Sequence, residues 1–226
     1  MTLVKICGVS EAQHARAAAA LGADFVGTVF APSRRQVTLG QARAIAAALR
    51  ERQPPPPGAA AAGIEALLRR RKPLLVGVFA DQDVDTINTI AEQVGLDLVQ
   101  LSGSEAWDVC ALIQRPVLKC LKVQPGQTAP EILAAVGTGA IPLLDPYAEG
   151  VYGGTGVTLD WAVAAEVARQ VPVVLAGGLT PENVAEAVRI VRPWAVDVSS
   201  GVETEGSKDV QKIKAFIQAA KHEKEA

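Results

Sequence analysis

Pro172-Val173-Val174-Leu175-Ala176-Gly177-Gly178-Leu179-Thr180-Pro181 begins the stretch on which the fold turns, and Ala195-Val196-Asp197-Val198-Ser199-Ser200-Gly201 ends it. An apolar, β-rich run (172–176) enters a glycine pair. Helical spacing follows over 181–191, and a second β-rich run (195–198) enters a polar loop. Strand, helix and strand in that order make a parallel βαβ unit. Working outward, the same alternation fills the chain. β-rich runs recur near residues 3–7, 24–30, 74–80, 97–101, 116–122 and 141–145. Alanine-rich segments with helical spacing lie near 11–21, 40–52, 84–94, 105–113, 129–136, 159–169 and 207–220. Eight such units in 226 residues predict a single-domain α/β chain, a (β/α)8 TIM barrel over 1–226, in preference to an open sheet.

Local signals mark the boundaries. Ser10 is placed to cap a helix starting at Glu11, and Thr180 to cap one with Pro181 in its first turn. Asp160 or Thr158 can open the helix that holds Trp161. Gly22 and Gly95 stand where helices give way to strands, a position that suits a left-handed residue. One segment breaks the rhythm: Gln53, four prolines (54–57), Gly58 and a run of alanines. Prolines cannot continue a helix, so 53–72 is expected to be a Pro/Ala-rich surface insertion on the face away from the active site. Arg69-Arg70-Arg71-Lys72, the one dense basic cluster, reads as a solvated loop before a strand.

Composition excludes several classes. Hydrophobic residues make up 49% and charged residues 20%, which suits a folded domain and not a disordered one. A formal charge of −2 argues against a partner as anionic as nucleic acid. No uninterrupted apolar stretch is long enough to span a bilayer. Three cysteines, Cys7, Cys110 and Cys120, are too few and too oddly spaced for a disulfide framework or a zinc site. Met1 leads almost directly into the first strand, with no signal peptide, so a cytoplasmic protein is expected. We expect a monomer that binds a small molecule and no nucleic acid, membrane, cofactor or metal.

Active sites of TIM barrels form at the carboxyl ends of the strands. The loops after the seventh and eighth strands are the best candidates for a ligand. Gly177-Gly178 lets backbone approach an anion closely, and Ser199-Ser200-Gly201 adds N–H groups and hydroxyls, the usual place for phosphate in this fold. Cys7 ends the first strand. It is either a small buried hydrophobe or a base whose thiolate is favoured by Lys5, two residues earlier on the same strand face. Cys110 and Cys120 read as packing residues. Asp145 ends the apolar run Ile141-Pro142-Leu143-Leu144, where a carboxylate is costly unless paired or solvated. The loop holding Tyr152-Gly153-Gly154-Thr155-Gly156 is suited to fold over a substrate. Arg34 and Arg35 are either solvent-facing or placed to meet an acidic group bidentately. Only two histidines occur, His14 in a helix and His222 in the charged tail, so a hydrolase constellation lacks its imidazole.

At these residues the chain resembles the phosphoribosylanthranilate isomerase family, most of all its fungal branch. The motifs are Val4-Lys5-Ile6-Cys7-Gly8, Gly77-Val78-Phe79, Val99-Gln100-Leu101, Leu143-Leu144-Asp145, Gly153-Gly154-Thr155-Gly156 and Leu159-Asp160-Trp161. Two more, Ala176 through Val184 and Val196 through Glu203, are the most specific. The resemblance implies an Amadori rearrangement of N-(5-phosphoribosyl)anthranilate, with Asp145 as general acid and Cys7 as general base and no cofactor. It places Arg35 at the anthranilate carboxylate, with Arg34 as a substitute. Asp197 would orient the anthranilate end, and Gly177, Gly178, Ser199 and Ser200 would bind the phosphate. The family usually has His-Gly-Asp-Glu where this chain has Ser102-Gly103-Ser104-Glu105, which puts substrate positioning at that loop in question. Two alternatives compete: a neighbouring phosphate-binding barrel such as indole-3-glycerol-phosphate synthase, whose lysine and glutamate placements cannot be assigned here, and a barrel that binds without turnover.

Overall fold

The computed structural model describes residues 1–49, 61–70, 73–147 and 159–221. Eight parallel strands close into a barrel in sequence order: β1 (Leu3–Ile6), β2 (Phe25–Val29), β3 (Leu74–Phe79), β4 (Leu98–Leu101), β5 (Val117–Val123), β6 (Ala140–Pro146), β7 (Val174–Leu175) and β8 (Ala195–Val198). Closure comes from β1 pairing with both β2 and β8, Lys5 lying beside Phe25 on one side and Asp197 on the other. Around the barrel lie α1 (Ala12–Ala20), α2 (Leu39–Ala48), α3 (Ala61–Arg70), α4 (Val84–Val94), α5 (Ala129–Ala134), α6 (Trp161–Ala168), α7 (Val184–Val191) and α8 (Val210–Lys221). A short hairpin of β9 (Glu203–Thr204) and β10 (Ser207–Lys208) follows β8.

Strand side chains alternate between two cores, and that alternation builds the site. Val4, Ile6, Val99, Leu101, Leu144, Val196 and Val198 join the layer packed against the helices. Their neighbours Phe25, Leu98, Leu118, Cys120, Ile141, Leu143, Val174 and Ala195 fill the barrel interior. Continuing the inward parity by two residues reaches Lys5 and Cys7, Gln100, Lys122, Asp145 and Asp197. Apolar pairing therefore fills the middle of the barrel and leaves polar side chains at its carboxyl end. Asp24 and Asp97 act at the opposite end, where each buried carboxylate accepts the N–H of the second residue of the preceding strand, from Val4 at 2.9 Å and Leu75 at 2.7 Å.

Five expectations need correction. The segment 53–72 is not a surface excursion throughout, because residues 61–70 form α3. Its Ile64 and Leu68 are buried in the interior core, and Glu65 accepts from the Trp194 indole at 3.0 Å. The prolines ahead of it, and Arg71 and Lys72, lie outside the described residues. The helix expected over 105–113 is a single 3-10 segment, Trp107–Leu112. Pro116 disfavours helical backbone at Arg115, so the helix cannot run on into β5. Ser10 makes no cap. Glu11 takes that position in extended geometry, leaving the Ser10 hydroxyl one residue too early. The last helix before β8 starts at Val184 instead of Pro181. Thr180 still organises the turn, its hydroxyl accepting from Glu182 N at 3.3 Å. Arg69 and Arg70, expected in a loop, belong to the end of α3. Asp160 caps α6 through Ala162 N at 2.9 Å, and Gly95 ends α4 with φ +73°.

Candidate active site

Cys7, Gln100, Lys122, Asp145 and Asp197 line one cleft together with the loops after β2, β7 and β8. A larger cavity, about 970 Å³, lies at the opposite end against Leu3, Glu65, Leu68, Arg192 and Trp194. It contains neither the thiol nor the inward carboxylates, so chemistry, and not size, selects the carboxyl-end cleft.

Lys5 is wholly buried, and its Nζ lies 2.9 Å from Asp197 Oδ1. Burial alone would lower the Lys5 pKa, but the charges of Asp197 and Cys7 outweigh it and hold the ammonium above its ordinary value. Burial also pushes the Asp197 carboxyl up, with Lys5 opposing. The Cys7 thiol is raised as well, first by burial and then by the Asp197 charge. Lys5 acts on it in the expected direction, toward thiolate, but is outweighed. In the free protein Cys7 is a thiol, and proximity to Lys5 does not by itself make it a base.

Asp145 sits across the cleft at the end of β6. Lys122, directly beside it in register on β5, places Nζ 2.5 Å from Asp145 Oδ2. The other carboxylate oxygen faces Gly177: a Cβ built there would fall 3.1 Å from Asp145 Oδ1 and 2.0 Å from the Pro146 ring. With φ +88°, Gly177 is the residue type that allows this approach. Asn183 ties the glycine loop down, donating to Gly178 O at 2.9 Å and accepting from Thr180 N at 2.8 Å. Ser199, Ser200 and Gly201 line the cleft next to that loop.

Arg35 and Arg34 separate. Arg35 lines the cleft with its side chain 15% exposed, whereas the Arg34 side chain is 60% exposed. Ser102, which stands where the family usually has histidine, accepts from Gln100 Nε2 at 2.9 Å. Gln100 Oε1 is buried with no hydrogen-bond partner among the described residues. The glycine-rich segment 152–156 and His222 lie outside the described residues. Among the described residues, no group of three or more His, Cys, Asp or Glu is arranged to hold a metal, and no helix is long and apolar enough to cross a membrane.

Lys122, Glu203 and Lys208 escaped the sequence reading. Lys122 had a legible signal, a charge at inward parity with Leu118 and Cys120. Glu203 lay inside a quoted motif without a role, and Lys208 had none, because only the β9–β10 hairpin returns it to the site.

A closed (β/α)8 barrel with a thiol and a carboxyl facing one cleft beside paired anion-type loops defines a class: barrel enzymes that act on small phosphorylated substrates. The comparisons with known proteins specify it. Residues 59–219 match the model of the family described as N-(5'phosphoribosyl)anthranilate (PRA) isomerase. N-(5'-phosphoribosyl)anthranilate isomerase of Roseiflexus castenholzii is 47% identical, covering 97% of this chain and 98% of its own. The multifunctional tryptophan biosynthesis protein of the fungus Phycomyces blakesleeanus is 38% identical, covering 96% of this chain and 32% of its own. A solved phosphoribosyl anthranilate isomerase in complex with reduced 1-(o-carboxyphenylamino)-1-deoxyribulose 5-phosphate superposes with a TM-score of 0.76 at 34% identity, covering 98% of this chain and 99% of that one. The chain belongs to the N-(5'-phosphoribosyl)anthranilate isomerase family, the isomerases of tryptophan biosynthesis.

Proposed function

We propose that the cleft converts N-(5-phosphoribosyl)anthranilate to 1-(2-carboxyphenylamino)-1-deoxyribulose 5-phosphate by an Amadori rearrangement, with Asp145 as general acid and Cys7 as general base. One observation carries the reading: Cys7 from β1 and Asp145 from β6 face the same cleft, next to the Gly177-Gly178 and Ser199-Ser200 loops. The solved relative with a reduced deoxyribulose phosphate is consistent with such a ligand.

Phosphate sits at Gly177, Gly178, Ser199 and Ser200, which places the ribose between the two side chains. Asp145 delivers its proton to the ribose ring oxygen, and the ring opens as the substrate nitrogen forms a protonated Schiff base. Lys122, its ion-pair partner on β5, lies beside the carboxylate left behind. Cys7 then removes the proton from the neighbouring carbon, giving an enolamine that tautomerises to the ketone. The raised thiol of the free protein fits this order. Before ring opening the site contains a buried thiol; afterwards the cationic Schiff base favours loss of the thiol proton to solvent, and the resulting thiolate accepts the proton from carbon. Arg35 meets the anthranilate carboxylate, and Asp197, held by Lys5, orients that end.

The test follows the loss of fluorescence of freshly made substrate without added metal. Parent protein turns it over, and Cys7→Ser and Asp145→Asn each lose nearly all activity. Full activity in both variants refutes the assigned roles, and an inactive parent favours binding without turnover.

A further inference from the structure

We infer that Glu203 is a positioning residue that holds the two binding ends of the cleft in one geometry, Arg35 on one side and the Ser199 loop on the other. The inference rests on the functional reading above. Glu203 opens β9, and its side chain is 5% exposed. Its Oε1 accepts from Arg35 Nε at 2.7 Å and from Lys208 Nζ at 2.7 Å. Its Oε2 accepts from Arg35 Nη2 at 2.9 Å and from Arg34 Nη2 at 2.8 Å. Arg35 is therefore gripped along one edge, which fixes the guanidinium plane and leaves Nη1 outside the grip.

The second connection runs through Lys208, which register places opposite Glu203 in the hairpin. Besides Glu203, its ammonium donates to Ser199 O at 2.8 Å and to Ser199 Oγ at 3.4 Å. An ammonium has three protons, and these contacts use all of them. Lys208 thus holds the loop and does not serve as a ligand for substrate. Gly8 brings the two ends together directly: a Cβ there would lie 2.5 Å from Arg35 Cδ and 2.9 Å from Ser199 Oγ. Among the described residues, Glu203 is the carboxylate that ion-pairs with Arg34, Arg35 and Lys208. Its neutralisation leaves three cations repelling one another at the mouth of the cleft. An arginine fixed before binding loses less freedom when substrate arrives, so the effect falls on binding and not on the chemical step.

The experiment is a double-mutant cycle on steady-state parameters with Arg35→Met, Glu203→Gln and the double variant, plus inorganic phosphate as a competitive probe. Each single variant is expected to raise KM at least tenfold with kcat within threefold of the parent. The double variant should have a KM no more than about threefold above the worse single, because Arg35 contributes little without Glu203. Phosphate inhibition should weaken at least threefold in Glu203→Gln and stay unchanged in Arg35→Met. Glu203→Asp keeps the charge at shorter reach and should give an intermediate KM; if Glu203→Gln does not fold, it takes that place in the cycle. Penalties that multiply, or a Glu203 variant with parental KM or parental phosphate inhibition, overturn the inference while leaving the functional reading intact. A silent Arg35→Met overturns the inference together with the assignment of Arg35 to the anthranilate carboxylate, and leaves the roles of Cys7 and Asp145 to their own test.

Discussion

Replacing Lys5 with methionine removes a charge from the most buried ion pair of the site while keeping most of the side-chain volume. Lys5 is wholly buried and Asp197 nearly so, at a separation of 2.9 Å. Removing one partner of such a pair leaves a buried charge without compensation and costs about 3–5 kcal/mol. For a chain of this length each kcal/mol lowers Tm by about 2–4 °C, so the expected drop is on the order of 6–20 °C. The pH dependence has a definite sign. The Asp197 carboxyl is already raised by burial, with Lys5 as the leading opposing influence, so the variant raises it further. The folded variant then holds a proton that the unfolded chain releases near a pKa of about 3.9. More protons bound in the folded state means stability falls as pH climbs through that window. The deficit of Lys5→Met should therefore be smaller at pH 5 than at pH 8. In the parent, Lys5 has a raised folded pKa, so its stabilisation is complete below about 10.4 and is lost as pH rises through the folded value. Urea melts of the parent, Lys5→Met, Asp197→Asn and the double variant at both pH values test this, and the double variant should recover at least about 1 kcal/mol over Lys5→Met. A deficit below about 1 kcal/mol at pH 8, or one of equal size at both pH values, would refute the argument.

Thiolate absorbance of the parent minus that of Cys7→Ser should give a midpoint above the ordinary thiol value of about 8.5, and Lys5→Met should raise it further; a midpoint below 8.5 contradicts the burial argument. Glu203 has its carboxyl held down to about 2 despite burial, because Arg35 and Lys208 donate to it. Its stabilisation is present above pH 4.5 and lost as pH falls through about 2, so the stability gap between parent and Glu203→Gln should close over that range in acid titrations. Ile64→Ala removes the α3 residue buried in the interior core and should cost about 2–5 kcal/mol in urea melts, whereas a surface insertion would lose almost nothing.

The repeating alternation of strand and helix was legible because it is local: β-rich runs, helical spacing and caps such as Asp160 are set by near neighbours in sequence. The carboxyl-end residues were legible for a related reason, since parity along a strand places Cys7, Asp145 and Asp197 inward once the barrel is accepted. α3 was obscured by the prolines ahead of it, whose helix-breaking effect was carried too far along the chain. The 3-10 segment over Trp107–Leu112 is not legible because apolar spacing over so few residues does not separate 3-10 from α-helix. Lys122 and Lys208 were missed because each acts through a partner distant in sequence or across a turn.

By itself the sequence determined the architecture, the order of the strands and the identity of the groups at their carboxyl ends, because these follow from periodicity and residue type. Tertiary structure alone decided which charges meet. Lys5, the sequence's candidate for activating Cys7, is ion-paired with Asp197, and its pull on the thiol is outweighed by burial and the Asp197 charge. Asp145 is paired with Lys122, and Arg35, not Arg34, faces the cleft. Closure of the barrel brings β1 beside β8, 192 residues away in the Lys5–Asp197 pair, and burial then sets the thiol against ionisation. Proton affinity depends on distance and desolvation in three dimensions, and neither can be read from residue order.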